Sequence, residues 1–126
     1  MNEKWKEKWC SALESGEYLQ TTHCLHDKKG FCCLGVAEDL RLKFTGENWI
    51  PTLNGRFETP ERQGQSLTQE TTKLFELHGY NNPVLDGYQV RKLFPERDVD
   101  SATSLAQLND SGFSFKEIAK VIRELL

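Results

Sequence analysis

The feature that most constrains the fold is the segment of residues 30–40, in which two adjacent cysteines open a run of apolar side chains at helical spacing. Its sequence is Gly-Phe-Cys-Cys-Leu-Gly-Val-Ala-Glu-Asp-Leu. Apolar positions at i, i+3, i+4, i+7 and i+11 form one face of a helix. Here they are Cys33, Val36, Ala37, Leu40 and Phe44. The segment therefore predicts a helix that begins at the cysteine pair and buries this face.

Cys32 lies about 100° around the predicted helix from Cys33, at the edge of the buried face or in a crevice. The positive end of the helix dipole can lower the pKa of a thiol in the first turn, which favours reactivity or metal binding. Free cysteines are more often buried, so we favour a structural role and keep the reactive one as the alternative. Gly35 inside the helix costs about 1 kcal/mol relative to alanine. This cost predicts close packing of another backbone or of a ligand.

Turn residues divide the amino-terminal third of the chain into short elements. Residues 3–14 have the apolar spacing of an amphipathic helix, which Gly16 is suited to end. Residues 18–22 are rich in aromatic and β-branched side chains, which predicts a strand. Residues 31–32 would form the second arm of a hairpin, across a turn at residues 27–30.

Helix-capping patterns mark the carboxyl-terminal half of the chain. Residues 84–94 match neither the helical nor the strand period. The predicted helices are residues 67–78, capped by Ser66 and ended by Gly79; a helix capped by Asp100 or Ser101 that runs to Leu108; and residues 115–126, capped by Ser114.

Length and composition favour one α+β domain over residues 1–126, mainly helical, with four or five helices and a small antiparallel β-hairpin or sheet. We expect its core to join the first helix, the Cys33 face and the last helix. No apolar run is long enough to span a membrane, and no apolar leader opens the chain, so we expect a cytoplasmic protein with reduced cysteines. A net charge of -3 argues against a dedicated duplex-DNA binder.

The segment of residues 45–65 is the candidate binding region. Trp49-Ile50 and Arg56-Phe57 are predicted to form short strands around the turn-forming pair Asn54-Gly55. Together with Arg62, these residues offer aromatic faces and guanidinium groups, which grip nucleotide-like anions by stacking and by paired phosphate contacts. We predict Trp49, Arg56, Phe57, Arg62 and Cys32 as ligand contacts; the competing interpretation is a surface loop with one buried tryptophan.

Two further interpretations involve metal or nucleophilic chemistry. The cluster His23-Cys24-x-His26 with Cys32 has zinc-ligand chemistry, but its spacing matches no standard finger or ribbon, so we predict no metal site and no cofactor. A cysteine hydrolase is the other interpretation, and no local sequence pattern supports it. It would use Cys32 as nucleophile, His26 or His78 as base, and Asp39 or Asn109 as orienting group.

Three motifs carry a resemblance to a known group of proteins. They are Trp9-x-x-Ala12-Leu13-x-Ser15-Gly16-x-Tyr18-x-Gln20, Gly30-x-Cys32-Cys33-Leu34-Gly35-Val36, and Leu108-Asn109-Asp110-x-Gly112-x-Ser114-Phe115-x-x-Ile118-Ala119-x-x-Ile122. Together they resemble a family of small bacteriophage and prophage proteins of unassigned function. The resemblance covers both ends of the chain and implies a viral protein acting in the host cytoplasm. It assigns no catalytic residues.

These observations lead to three expected functions. The first is a phage accessory protein, with anti-defence action, that sequesters a small nucleotide-like anion without chemistry of its own. The alternatives are a protein-binding inhibitor of a host factor and a cysteine- or zinc-dependent enzyme. Leu125-Leu126 at the carboxyl end is either a homo-oligomer contact or part of the core. Under the first hypothesis, alanine at Arg56, Arg62 or Trp49 abolishes binding and leaves the thermal transition nearly unmoved.

Overall fold

The computed structural model describes residues 1–78 and 80–126 and confirms the predicted α+β class. Within these residues there are six helices and five short strands. The helices are α1 (Glu3–Glu14), α2 (Cys33–Thr45), α3 (Gln69–Phe75), α4 (Gly87–Leu93), α5 (Leu105–Asp110) and α6 (Phe115–Leu125). The strands are β1 (His26–Asp27), β2 (Ile50–Pro51), β3 (Arg56–Glu58), β4 (Val84–Asp86) and β5 (Ala102–Ser104).

Helix α2 lies at the centre of the molecule, between α1, α3 and α5. Every residue from Cys33 to Asp39 is buried, so this half of the helix is enclosed on all sides. The indole Nε1 of Trp9 in α1 donates a hydrogen bond to the carbonyl oxygen of Cys33, at 2.9 Å. The predicted core of α1, the Cys33 face and α6 is confirmed. The prediction that Phe44 is buried is wrong. Its side chain is 64% exposed, because the last turn of α2 extends beyond the core.

The first and last helices agree with their predictions. Helix α1 has the predicted bounds, and Gly16 follows it with a φ of 79°, in the left-handed region. Helix α6 begins with the predicted capping box, in which the Ser114 hydroxyl and the Glu117 carboxylate each accept a backbone N–H of the other residue.

The shorter helices differ from their predictions. Thr68, and not Ser66, caps α3, which ends at Phe75; the predicted end at Gly79 lies outside the described residues. Residues 102–104 form β5 instead of the start of a helix, and Ser104 caps α5. Residues 84–94 fitted neither period because β4 passes directly into α4.

Two small antiparallel sheets complete the fold. The first has the strand order β1-β3-β2, with Ile50 opposite Glu58 and His26 opposite Phe57. It confirms the predicted strands around Asn54-Gly55. The second pairs β4 with β5. The predicted strand at residues 18–22 is wrong, since its only pairing among the described residues is a single bridge from Gln20 to Phe31.

None of the helices in the described part of the chain is long and apolar enough to cross a membrane. The longest of them, α2, has 13 residues.

Candidate functional site

The cysteine pair belongs to the core and not to a binding surface. Cys32 is the N-cap of α2: its Sγ accepts a hydrogen bond from the backbone N–H of Gly35 at 3.4 Å, and the residue is only 4% exposed. Burial raises the pKa of the Cys32 thiol to about 12, opposite to the lowering expected from the helix dipole. Burial also raises the pKa of the Cys33 thiol well above its ordinary value. Cys32 is therefore a buried structural cap of α2.

Gly35 is explained by a close approach of backbone. A Cβ atom at this position would lie 1.8 Å from the carbonyl oxygen of Leu25, so only glycine fits. Gly30 is similar, since a Cβ atom there would lie 2.1 Å from the carbonyl oxygen of Leu19. Of the two partners expected for Gly35, the structure supplies the neighbouring backbone.

Asn109 joins the three sequence motifs at residues 9–20, 30–36 and 108–122. Its side-chain oxygen accepts hydrogen bonds from the backbone N–H of Cys33 at 3.1 Å and from Gln20 Nε2 at 2.9 Å. Its Nδ2 donates to the carbonyl oxygen of Thr21 at 2.9 Å. The residue is 1% exposed. Asn109 thus has a structural role at the start of α2, and its side-chain oxygen and nitrogen are both engaged.

The two histidines of the candidate metal cluster point to different partners. His23 Nδ1 lies 3.3 Å from a carboxylate oxygen of Asp110. His26 Nδ1 lies 2.7 Å from the carbonyl oxygen of Gly30, to which it donates. Across residues 1–78 and 80–126, no three His, Cys, Asp or Glu side chains converge in a way that could hold a metal ion.

Four rings form an aromatic cluster beside the first sheet. The His26 ring is sandwiched between Phe31, with centroids 3.8 Å apart, and Phe57, with centroids 4.4 Å apart. Trp49 meets the His26 ring edge-on at 5.1 Å. Its indole Nε1 donates to Asp39 Oδ1 at 3.0 Å. His26, which the sequence suggested as a base or ligand, is thus the ring that brings Trp49 and Phe57 together.

Three of the predicted contacts line one groove, which we call the arginine groove. Arg56 and Phe57 reach it from β3, and Arg62 reaches it from the loop that follows. Its volume is about 320 Å³. The side chain of Arg62 is 68% exposed, with Nη1 3.7 Å from a Glu58 carboxylate oxygen. The remaining lining residues are Thr52, Asn54, Glu58, Gln63, Gly64 and Gln65.

A larger groove of about 650 Å³ lies along α3. Among the described residues that line it are three carboxylates, Glu61, Glu70 and Glu76, against one lysine, Lys73, and His78. No phenylalanine, tyrosine or tryptophan is among them. Its charge is unfavourable for an anion, so we place the candidate site in the smaller arginine groove.

A buried network of charged side chains lies next to both grooves, and no sequence pattern predicted it. Glu38 is 0% exposed and Arg41 is 3% exposed, with Arg41 Nη2 3.2 Å from Glu38 Oε1. Arg41 Nη2 also donates to Glu61 Oε1 at 2.6 Å, and Arg41 Nε donates to the Thr71 hydroxyl at 2.8 Å. The Thr68 backbone N–H donates to Glu38 Oε2 at 2.7 Å. An i, i+3 pair of opposite charges usually lies on an exposed helix face, so no pattern marked it as buried.

The opposite charges of this network stabilise one another. Desolvation alone would lower the pKa of Arg41, but hydrogen bonds and charge from Glu61 and Glu38 outweigh it and raise that pKa. Desolvation likewise works against ionised Glu61, but the Arg41 guanidinium prevails and lowers the pKa of the Glu61 carboxyl. Glu61 is the neighbour of Arg62 in the chain, so the network fixes the loop on one side of the arginine groove.

Comparison with known proteins gives a family and no function. A family model described as a domain of unknown function (DUF8296) matches residues 1–126. No curated protein and no solved structure matches the chain.

Proposed function

We propose that this chain, which belongs to the family of domains of unknown function DUF8296, is a binding protein that sequesters a nucleotide-like anion in the arginine groove, without chemistry of its own. The observation that carries the proposal is that Arg56, Phe57 and Arg62 line the same groove. Two guanidinium groups and an aromatic ring are the groups that recognise phosphate and base.

The charge of the groove favours an anion although the chain carries a net charge of -3. Two arginines line it against one carboxylate, Glu58. No described carboxylate forms an ion pair with Arg56, and Glu58 contacts Arg62 at 3.7 Å, longer than a hydrogen bond. A phosphate group would displace Glu58 from Arg62 at little cost, because ion pairs at exposed surfaces contribute little free energy.

Phe57 supplies a rigid surface for stacking. Its ring stacks on His26, which stacks in turn on Phe31, so two further rings hold its position. Gln63 and Gln65 add amide groups that can donate to and accept from the edge of a base. Preformed surfaces of this kind lose little entropy on binding.

The biological setting in the proposal comes from the sequence. The three motifs described above resemble small bacteriophage and prophage proteins, and this resemblance supports an accessory, anti-defence role in the host cytoplasm. Sequestration needs affinity and no catalytic group. It is therefore consistent with the burial of Cys32, the residue that the sequence offered as nucleophile.

The test begins with native mass spectrometry of protein purified gently from infected or defence-activated bacteria, before and after denaturation. Release of a small anion of nucleotide mass supports the proposal and reveals its stoichiometry. A clean mass for the protein alone, together with no thermal shift from a panel of ribonucleotides, would exclude it.

Variants then locate the site. Arg56→Ala and Arg62→Ala are each expected to lower affinity about tenfold to a hundredfold, since a charge-assisted bond contributes about 1.5–3 kcal/mol. Both side chains are exposed, so the thermal transition should stay in place. Arg91→Ala is the charge-matched control, because Arg91 lies on α4 over the Tyr88 ring and not in the groove. Equal losses in all three variants would indicate a general effect of charge.

Trp49 needs a gentler substitution than the two arginines. It is half-buried in the aromatic cluster and bonded to Asp39, so Trp49→Ala would also disturb folding. Trp49→Phe keeps an aromatic ring, but it removes the N–H bonded to Asp39 and replaces the indole by a smaller ring. Unchanged binding in this variant would show that the indole N–H is not a ligand contact.

A host protein is the second candidate partner. Val84 and Tyr88, on the adjoining elements β4 and α4, are each 62% exposed, and solvent-exposed apolar groups of this size favour protein contacts. If Val84→Ser/Tyr88→Ser abolishes the biological effect while Arg56→Ala leaves it intact, the protein partner is the better proposal.

A further inference from the structure

A second groove lies beside the arginine groove, and we call it the lysine groove. It shares Asn54 and Arg56 with the arginine groove and has a volume of about 430 Å³. Its other lining residues are Asp27, Lys28, Lys29 and Gly55. Arg56, at the start of β3, therefore stands at the junction of two grooves.

The two grooves differ in chemistry. Phe57 and residues with amide side chains are among the lining residues of the arginine groove, and these residue types suit a base. The described lining of the lysine groove has no aromatic ring, and it sets three cationic side chains against one carboxylate. Charge without a stacking surface suits phosphate alone.

The one carboxylate of the lysine groove is already engaged. Asp27 Oδ2 accepts a hydrogen bond from the Thr21 hydroxyl at 2.9 Å. Its Oδ1 accepts from the backbone N–H groups of Lys29, at 2.9 Å, and Gly30, at 3.0 Å. Asp27 thus shapes the turn that carries the lysines, and it forms no ion pair with either of them among the described residues.

Lys28 is placed to serve this groove. Its Cε lies 3.6 Å from where a Cβ atom at Gly55 would stand, so its stem crosses the hairpin turn beside Arg56. Lys28 and Lys29 are both exposed. An anion in the groove can therefore reach two ammonium groups and one guanidinium.

We infer that the ligand is a nucleotide with a chain of two or more phosphates. Its base and sugar occupy the arginine groove, Arg56 holds the first phosphate, and Lys28 and Lys29 hold the outer phosphates. This inference rests on the proposed function and assigns the lysine groove as its phosphate subsite.

The test compares ribonucleoside monophosphates, the matching triphosphates and inorganic tripolyphosphate by isothermal titration calorimetry. The variant Lys28→Ala/Lys29→Ala should lower triphosphate affinity at least about tenfold, the loss of about one charge-assisted bond, and leave monophosphate affinity within about twofold. Lys92→Ala/Lys116→Ala, which removes two exposed lysines from α4 and α6, is the charge-matched control and should change neither affinity.

The outcomes separate this inference from the proposed function. If nucleotides bind the lysine variant and the wild type with equal affinity, the inference is wrong and the proposed function stands. If tripolyphosphate binds through Lys28 and Lys29 and no nucleotide binds more tightly, the ligand is not a nucleotide. The lysine groove is then still a phosphate site. Absence of binding by every probe overturns both.

Discussion

Replacing Arg41 with methionine should destabilise the protein more than the loss of any exposed arginine. Arg41→Met keeps a long unbranched side chain but removes the guanidinium that contacts Glu38 and Glu61. Glu38 is 0% exposed, so water cannot replace the lost partner. The variant therefore leaves a buried carboxylate without its counter-charge.

The magnitude follows from the contacts that remain. Breaking a buried ion pair by removal of one partner costs about 3–5 kcal/mol. Glu38 keeps hydrogen bonds from the Thr68 backbone N–H at 2.7 Å and from the Thr71 hydroxyl at 2.8 Å, which places the loss near the lower end. A loss of about 3 kcal/mol is a large part of the total stability of a small domain and corresponds to a fall in Tm of about 10 °C.

Urea unfolding followed by tryptophan fluorescence measures this loss, since the chain has three tryptophans. Arg123→Met is the matched control: Arg123 also bonds two glutamates, Glu7 and Glu14, but at the surface. Its loss should be far smaller because water screens these charges. In Glu38→Gln/Arg41→Met the buried charge is gone, so the double variant should be more stable than the sum of the single losses predicts. Equal losses for Arg41→Met and Arg123→Met would refute the reasoning.

Three further predictions concern the start of α2. Gly35→Ala should cost about 3 kcal/mol or more, because its methyl group would lie 1.8 Å from the Leu25 carbonyl oxygen; a Tm shift no larger than that of Gly64→Ala, whose methyl group would come no closer than 3.5 Å to a neighbouring atom, would contradict the close approach. Asn109→Ala should cost about 2–4 kcal/mol in urea unfolding, since the backbone N–H of Cys33 and other buried groups lose their partner. The pKa of Cys32 is raised from 9.0 to about 12 in the folded state, so the unfolded chain releases this proton first. Stability is then complete below pH 9 and falls as the pH rises towards 12, by at most about 1.4 kcal/mol per pH unit for each such thiol, and Cys32→Ala should make the fall shallower.

The parts of the fold that could be predicted from sequence depend on local chemistry. The capping box at Ser114, the Gly16 terminus and the Asn54-Gly55 turn each act within a few residues, and the structure has all three. The prediction of a strand at residues 18–22 was wrong because β-propensity alone does not form a strand. This segment pairs with its neighbour through a single bridge. Thr68 replaced Ser66 as the cap of α3 because Thr68 also bonds the buried Glu38, a contact 30 residues away.

The candidate site was predictable in part for the same reason. Arg56, Phe57 and Arg62 lie close together in the chain, so little long-range information is needed for all three residues to border one groove, although successive side chains on a strand point to opposite faces. Cys32 was expected with them, but its position depends on the packing of α2 against distant segments. The sequence points to His26 only as a ligand or base, because no sequence pattern shows that one ring will lie between two others.

The buried network connects stability to the proposed binding site. Glu61 Oε1 accepts a hydrogen bond from Arg41 Nη2 at 2.6 Å. The next residue, Arg62, has a φ of 67°, a conformation that residues other than glycine adopt infrequently. The Leu25 backbone N–H holds the far end of the same loop through the Gly64 carbonyl oxygen, at 2.8 Å. Arg62 is therefore held on both sides before any ligand arrives, and a preformed contact lowers the entropic cost of binding. A substitution in this network should weaken binding even at temperatures where the variant is fully folded, because the loop backbone that carries Arg62 loses its fixed position.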